Sequence, residues 1–236
     1  MKLLILNGSP KGDSSDTLKM SKAFARGFQR AAGGEVTVIN VIEKRIGYCT
    51  GCFQCKVNGG YCPIEDDMPA ILEEIKASDV VVYSFPLWCN GMPAPMKALI
   101  DRKMPLTKIT MVWNKDRWEH IPQVDLSKQR KVMICGCGFP NSENNFEGMT
   151  KQFELMFPSD HTVINIPESP MFNIKDADPV TKPRLALIEK AGEVFARTGS
   201  IPEEMMAELE SPMLPPKVYA MLANGEMRTP PPEIMK

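Results

Sequence analysis

A chain of 236 residues, 43% hydrophobic and 24% charged, has ordinary globular composition and is long enough for one sizeable core or two small ones. Its 28 Lys and Arg against 29 Asp and Glu leave a formal net charge of -1, which excludes a global pull toward nucleic acid or an anionic membrane surface. The apolar run at the N-terminus stops at Asn7, too short for a signal-peptide core, and no later stretch approaches the roughly 18 apolar residues of a membrane span; a cytoplasmic protein is expected.

In chain order, KLLILN at residues 2–7 is short, apolar and bounded by Gly8, Ser9 and Pro10, as suits a strand buried on both faces. Residues 17–32 place Leu18, Phe24, Ala25 and Phe28 at helical spacing and end at Gly33 and Gly34. The alternation then recurs: strand 36–40, helix 67–78, strand 79–84, helix 95–102, strand 131–135, helix 146–157, strand 162–166 and a long helix 182–198. Five nearly all-apolar, β-branched strands alternating with helices predict an α/β, three-layer, doubly wound parallel sheet, because right-handed crossovers place helices on both faces. Residues 103–129, with Trp113 and Trp118, are too long for an ordinary connection and read as an extra hairpin, a lid or an interface segment. The expected division is a domain over 1–200 and an extension over 201–236, where Pro212, Pro215, Pro216 and Pro230 to Pro232 suggest short helices and an extended tail that packs on the domain or a partner subunit.

In such sheets ligands bind outside the carboxyl ends of the strands, so the loops there carry the chemistry. The loop from Gly8 to Thr17 offers small hydroxyl residues, two glycines, Lys11 and a helix start, which together make an anion site suited to a phosphate monoester. It matches neither the dinucleotide fingerprint nor the Walker A loop, and the competing reading is a helix cap with nothing bound. Pro86 to Pro93 combines large flat apolar groups with accessible backbone at Gly91, a shelf for a planar ring. Gly136 and Gly138 allow close backbone approach after the fourth strand. Each loop alone also reads as an ordinary turn. Only two histidines are present, His120 and His161, so catalysis is expected to rest on a cofactor or on thiols, and no residue stands out as catalytic.

Gly8-Ser9-Pro10 followed by Lys11, Ser15 and Thr17, then Tyr83 to Trp88, then Met92 to Lys97 with Asp101-Arg102, resembles the flavodoxin-like NAD(P)H-dependent FMN reductase family over roughly residues 1–170. The resemblance implies strand order 2-1-3-4-5 and bound FMN. It places the phosphate on Ser9, Lys11, Ser15 and Thr17, with Asp16 and Leu18 also among the cofactor-binding positions, and the isoalloxazine against Pro86, Leu87, Trp88, Cys89, Asn90, Gly91 and Met92, with Gly136, Cys137, Gly138 and Phe139 as the wall. Asp16 stands where the family commonly has Asn, an acid beside a phosphate dianion. The implied activity is hydride transfer from NAD(P)H to FMN and on to a quinone, nitroaromatic, flavin or iron-type acceptor.

Seven cysteines without a secretion signal point to reduced thiols, metal ligands or redox groups. Cys49, Cys52, Cys55 and Cys62 follow C-x2-C-x2-C-x6-C, with Gly51, Gly59 and Gly60 to fold the backbone around them. Four thiolates so placed can hold a tetrahedral metal or a cubane cluster, and intervals of three favour iron and sulfur over zinc. Free thiols or a reversible disulfide stay open. The motif resembles the compact cysteine motif of iron-sulfur flavoproteins, including the trailing Asp66-Asp67-Met68, which implies a [4Fe-4S] cluster near a flavin and an electron carrier or redox sensor with a protein partner. A flavin on a sheet rim is only partly covered by these loops, so a homodimer or homotetramer is expected, with residues 103–129 and the tail as the lid.

Overall fold

The computed structural model describes residues 1–159 and 161–226. Pro230 to Pro232 lie outside the described residues.

The central sheet is built from β1 (Lys2–Asn7), β2 (Glu35–Asn40), β3 (Val80–Pro86), β6 (Arg130–Gly136) and β7 (His161–Ile166), after a separate hairpin of β4 (Thr107–Asn114) and β5 (Arg117–Pro122). Its order is β2-β1-β3-β6-β7 with every pairing parallel, which is 2-1-3-4-5 for the five sheet strands. Alternate side chains serve opposite faces. Leu3 and Ile5 pack with Phe24 and Phe28 of α1 (Asp16–Ala32), whereas Leu4 and Leu6 join the cluster under the other helices. A short α2 (Gln54–Val57) lies in the cysteine loop; α3 (Met68–Lys76), α4 (Ala94–Asp101) and α5 (Glu147–Met156) cover that second face, and α6 (Asp178–Thr198) joins α1 on the first. Among the described residues, no helix is long and apolar enough to cross a membrane.

Within residues 103–129 lie a 3-10 turn (Met104–Leu106) and the hairpin of β4 and β5. Trp113 and Trp118 face each other across it with ring centroids 5.6 Å apart, and both are exposed, as are Ile109 and Met111. The extension contributes α7 (Glu203–Glu210) and α8 (Pro216–Ala223). It is fastened to the domain by buried polar contacts: Glu168 Oε2 accepts the amides of Met213 (2.5 Å) and Leu214 (3.1 Å), and Arg184 Nη1 donates to the carbonyls of Leu209 and Ser211.

On the second face Lys103 Nζ donates to Tyr83 Oη at 2.6 Å and lies 4.4 Å from the Phe157 ring centroid. Burial, with a smaller contribution from Lys131, pulls its pKa from 10.5 down to about 7. The unfolded chain therefore binds the extra proton between those values, so this group's contribution is lost as pH falls toward 7 and regained toward 10.5. Relative to Lys103→Met, wild-type stability should climb across that window by up to about 1.4 kcal/mol per pH unit, measured by urea unfolding. A pH-independent difference would contradict the assignment.

Candidate functional site

Backbone hydrogen bonds stitch the strand-end loops into one rim. The Gly8 amide donates to the Ser84 carbonyl (2.8 Å), Leu87 to Gly136 (2.7 Å) and Cys137 to Ile166 (3.0 Å), which carries the contact across from β1 to β7. The first and third loops thus meet at β1 and β3, where strand order reverses, with the fourth alongside.

In the first loop a 3-10 turn over Gly12–Ser14 leads to Ser15, whose Oγ caps α1 by accepting the Leu18 amide at 3.2 Å and lies 2.8 Å from Thr17 Oγ1. Ser9 Oγ accepts the Lys11 amide at 3.3 Å. Ser9, Ser15 and Thr17 are buried, so their hydroxyls already serve the loop's own framework. Asn7 Nδ2 ties that framework to Gly12 O and Asn40 Oδ1, both at 2.9 Å. The amides of Asp16 and Thr17 open the first helical turn and have no acceptor within it. The Leu18 side chain belongs to the core.

Asp16 acquires a place. Its Oδ2 pairs with Lys11 Nζ at 3.0 Å at the positive end of the α1 dipole, and its buried Oδ1 has no hydrogen-bond partner. The acid therefore engages the same lysine that an anion in this loop would use.

The third loop closes as a tight turn in which the Trp88 amide donates to Gly91 O (3.0 Å) and the Gly91 amide to Trp88 O (2.9 Å). Its central residues, Cys89 (φ 48°) and Asn90 (φ 58°), are both left-handed, as a type I′ turn requires. Non-glycine residues there carry strain, and strain collects at functional sites. The turn leaves Trp88 52% exposed, with Pro86, Leu87, Gly91 and Met92 half-buried behind it. In the fourth loop Phe139 is 50% exposed. Gly136 is small for a packing reason: a Cβ there would sit 2.6 Å from that of Ser169. Burial pushes the Cys137 thiol up to about 11, which makes it an inert core group. Gly138 has only ordinary contact with Pro170.

The second loop brings Cys49, Cys52, Cys55 and Cys62 to the wall of one small pocket. Left-handed Gly51 (φ 68°) and Phe53 (φ 56°) bend the chain around it. Cys49 and Cys52 are exposed, Cys62 half-buried and Cys55 buried, and all are free thiols. The Gln54 amide and Thr50 hydroxyl pull the Cys52 thiol below its ordinary range, whereas burial pushes Cys55 up. Among the described residues no set of three or more His, Cys, Asp or Glu stands close enough to hold a metal ion, so the four sulfurs share a pocket without ligating geometry.

Arg102 forms part of the same wall and was not singled out by the cysteine spacing. It is 1% exposed and grips Asp66 through two hydrogen bonds of 2.5 and 3.1 Å, while its Nη1 also donates to Gly47 O at 2.8 Å. Asp66 Oδ2 accepts the Gly47 amide at 2.7 Å. Burial works to raise the Asp66 pKa, but Arg102 and the amides of Gly47 and Met68 outweigh it and hold the carboxyl below its usual range. Arg102 and Asp66 therefore tie together the two ends of the cysteine loop.

Comparison with known proteins places this architecture. Residues 1–193 match the family described as Flavodoxin-like fold. An iron-sulfur flavoprotein of Methanocaldococcus jannaschii is 34% identical over 106 residues, covering 45% of this chain and 53% of the relative. An FMN-dependent NADH:quinone oxidoreductase of Burkholderia lata is 22% identical over 209 residues, covering 82% of this chain and 100% of the relative. The chain spans about half the length of the iron-sulfur flavoprotein. In three dimensions, an FMN-dependent NADH-azoreductase of Bacillus anthracis, crystallised with FMN, superposes with a TM-score of 0.59 at 19% identity, covering 83% of this chain and 100% of that one, and shares its fold. With its family match over residues 1–193 and its sheet order of β2-β1-β3-β6-β7, this chain belongs to the flavodoxin-like fold family.

Proposed function

We propose that this chain is an FMN-dependent oxidoreductase that accepts hydride from NAD(P)H and delivers electrons to a small acceptor such as a quinone, nitroaromatic, flavin or iron compound. The observation that carries this reading is the rim at the β1/β3 reversal, where a strained turn holds Trp88 in the open beside a loop that exposes Phe139. Two exposed aromatic rings fit a flat heterocycle. The relatives named as FMN-dependent oxidoreductases support the reading. FMN, when bound, supplies the hydride chemistry. The chain's own part is to hold the ring against Trp88 and the backbone of residues 86–92, and to offer the first-turn amides of α1 to the phosphate. Few titratable side chains are needed for that.

The Lys11–Asp16 pair makes a specific prediction. Asp16→Asn frees Lys11 for the phosphate and removes a like charge, so FMN binding should tighten about fivefold while riboflavin, which lacks the phosphate, is unchanged. Titration of flavin fluorescence checks it, and equal effects on both ligands would contradict it.

The cysteine pocket favours a second reading, an iron-sulfur flavoprotein in which Cys49, Cys52, Cys55 and Cys62 hold a [4Fe-4S] cluster that exchanges electrons between flavin and a partner protein. Its support is the four sulfurs on one wall and the iron-sulfur flavoprotein relatives. The pocket would have to tighten to bind a metal. Anaerobic purification with an absorption spectrum and iron and sulfide analysis separates the readings: flavin absorbance, no iron and rapid NAD(P)H oxidation support the enzyme, whereas iron and sulfide without small-molecule turnover support the carrier. The exposed apolar hairpin carrying Ile109, Met111, Trp113 and Trp118 supports assembly into a homodimer or homotetramer. Sedimentation showing only monomer at micromolar concentration would count against assembly.

A further inference from the structure

We propose that the pocket roofed by α8 is a small-molecule site for a flat, neutral, apolar ligand carrying a carbonyl or nitro oxygen, with the Tyr219 hydroxyl as the hydrogen-bond donor to that oxygen. The pocket lies between Gly138 of the fourth loop, the 3-10 turns that follow β7, and α8. Its volume of about 340 Å³ falls within the size range of ligand sites. Met171, Ile174, Ala177 and Leu222 make the walls apolar, and Asp176 and Tyr219 are the polar side chains among its lining.

Tyr219 is the informative residue. It is 6% exposed, packed with Met171, Ala177 and Leu214, yet among the described residues its hydroxyl makes no hydrogen bond. The hydroxyl is unpartnered yet not sealed from solvent, so on a residue that lines the cavity it is placed to meet a ligand acceptor. Burial, reinforced by Glu168, Cys137 and Asp16, pushes its pKa up to about 12, so at neutral pH it keeps the proton it would donate. Asp176 gives the lining an acidic side chain, which favours a neutral ligand over an anionic one.

The roof is held in place rather than loosely laid. Glu168 fixes Met213 and Leu214, and Leu214 and Tyr219 share one apolar cluster with Met171. The pocket also adjoins the proposed ring shelf, because Gly138 lines it and Phe139 follows directly. Identification of its ligand as the electron acceptor, of the quinone or nitroaromatic class rather than an iron compound, rests on the flavin reading; the pocket and its donor do not.

The test uses the full chain with menadione as probe and 2-methylnaphthalene, which has a similar shape without the carbonyls, as its counterpart. Tyr219→Phe should weaken menadione binding about tenfold and leave 2-methylnaphthalene unchanged. Ala223→Trp, at an exposed position of α8 that lines the pocket, should fill the space and weaken both by at least about tenfold, with circular dichroism unchanged and FMN affinity kept. Menadione binding unaffected by both substitutions overturns the site. If the chain fails to bind FMN but the menadione results hold, the flavin reading falls and the pocket stands.

Discussion

Arg102→Met should destabilise the protein by about 3–5 kcal/mol at neutral pH, because it strands the 3%-exposed Asp66 carboxylate without its cation. The penalty should shrink in acid. Asp66 titrates below the ordinary carboxylate range while paired, and once unpaired its buried carboxyl takes up a proton more readily, which removes the uncompensated charge. The double variant Asp66→Leu/Arg102→Met should recover much of the loss, since an apolar replacement of a buried pair is often close to neutral. A local effect accompanies the global one. Arg102 joins Gly47 to Asp66, the two ends of the loop that contains Cys49 to Cys62, so the single variant should speed alkylation of Cys62 and the half-buried part of that loop. Chemical unfolding and timed thiol labelling followed by mass spectrometry measure the two effects; an Arg102→Met protein with wild-type stability and labelling would remove the ion pair from its assigned role.

The second large effect should come from glycine. Where α1 crosses α6, Gly27 and Gly192 each meet the other helix's backbone: a Cβ on Gly27 would stand 1.7 Å from the Glu189 carbonyl oxygen, and one on Gly192 2.0 Å from that of Phe24. In an exposed helix interior, replacing glycine with alanine gains about 1 kcal/mol. Here the obstacle is backbone, which cannot rotate away, so the two helices must separate and the packing of Phe24 and Phe28 against Phe195 loosens. Gly192→Ala should therefore lose about 3 kcal/mol, a fall of roughly 6–12 °C in Tm for a chain of this size. Since α1 begins at the Ser15 cap, FMN affinity should fall along with it. A calorimetric scan showing equal or higher Tm would mean that the helices cross with more slack.

The contrast between these sites and the sheet explains what the sequence made legible. Strands such as Leu3 to Leu6 and Val80 to Phe85 are buried on both faces, so their composition alone marks them, and the helix between them shows its apolar stripe. Their order follows from the handedness of the crossovers and from the family resemblance. The rim loops are legible because they must follow the strands. Long-range pairs are not: Arg102 and Asp66 are 36 residues apart, and nothing in the spacing of either announces the other. Gly27 and Gly192 look like ordinary interruptions of helical pattern until the helices are laid across each other. Gly136 suggests close ligand approach in the sequence, and the structure adds a packing demand from Ser169 that spacing does not show. Tyr219 was invisible for a related reason, because its significance lies in a pocket assembled from three separate segments. Asp16 is a middle case, a departure from family pattern whose partner, Lys11, stood five residues away in plain view.

The rim formed by residues 8–18, 86–92 and 136–139 is the proposed FMN site. Its most direct test is fluorescence titration of FMN with the purified, flavin-stripped chain, run beside Trp88→Ala. Saturable quenching at one FMN per chain is expected, weakened at least about tenfold in the variant by loss of the aromatic shelf. Absence of quenching by the wild-type chain, or identical binding by Trp88→Ala, would contradict it.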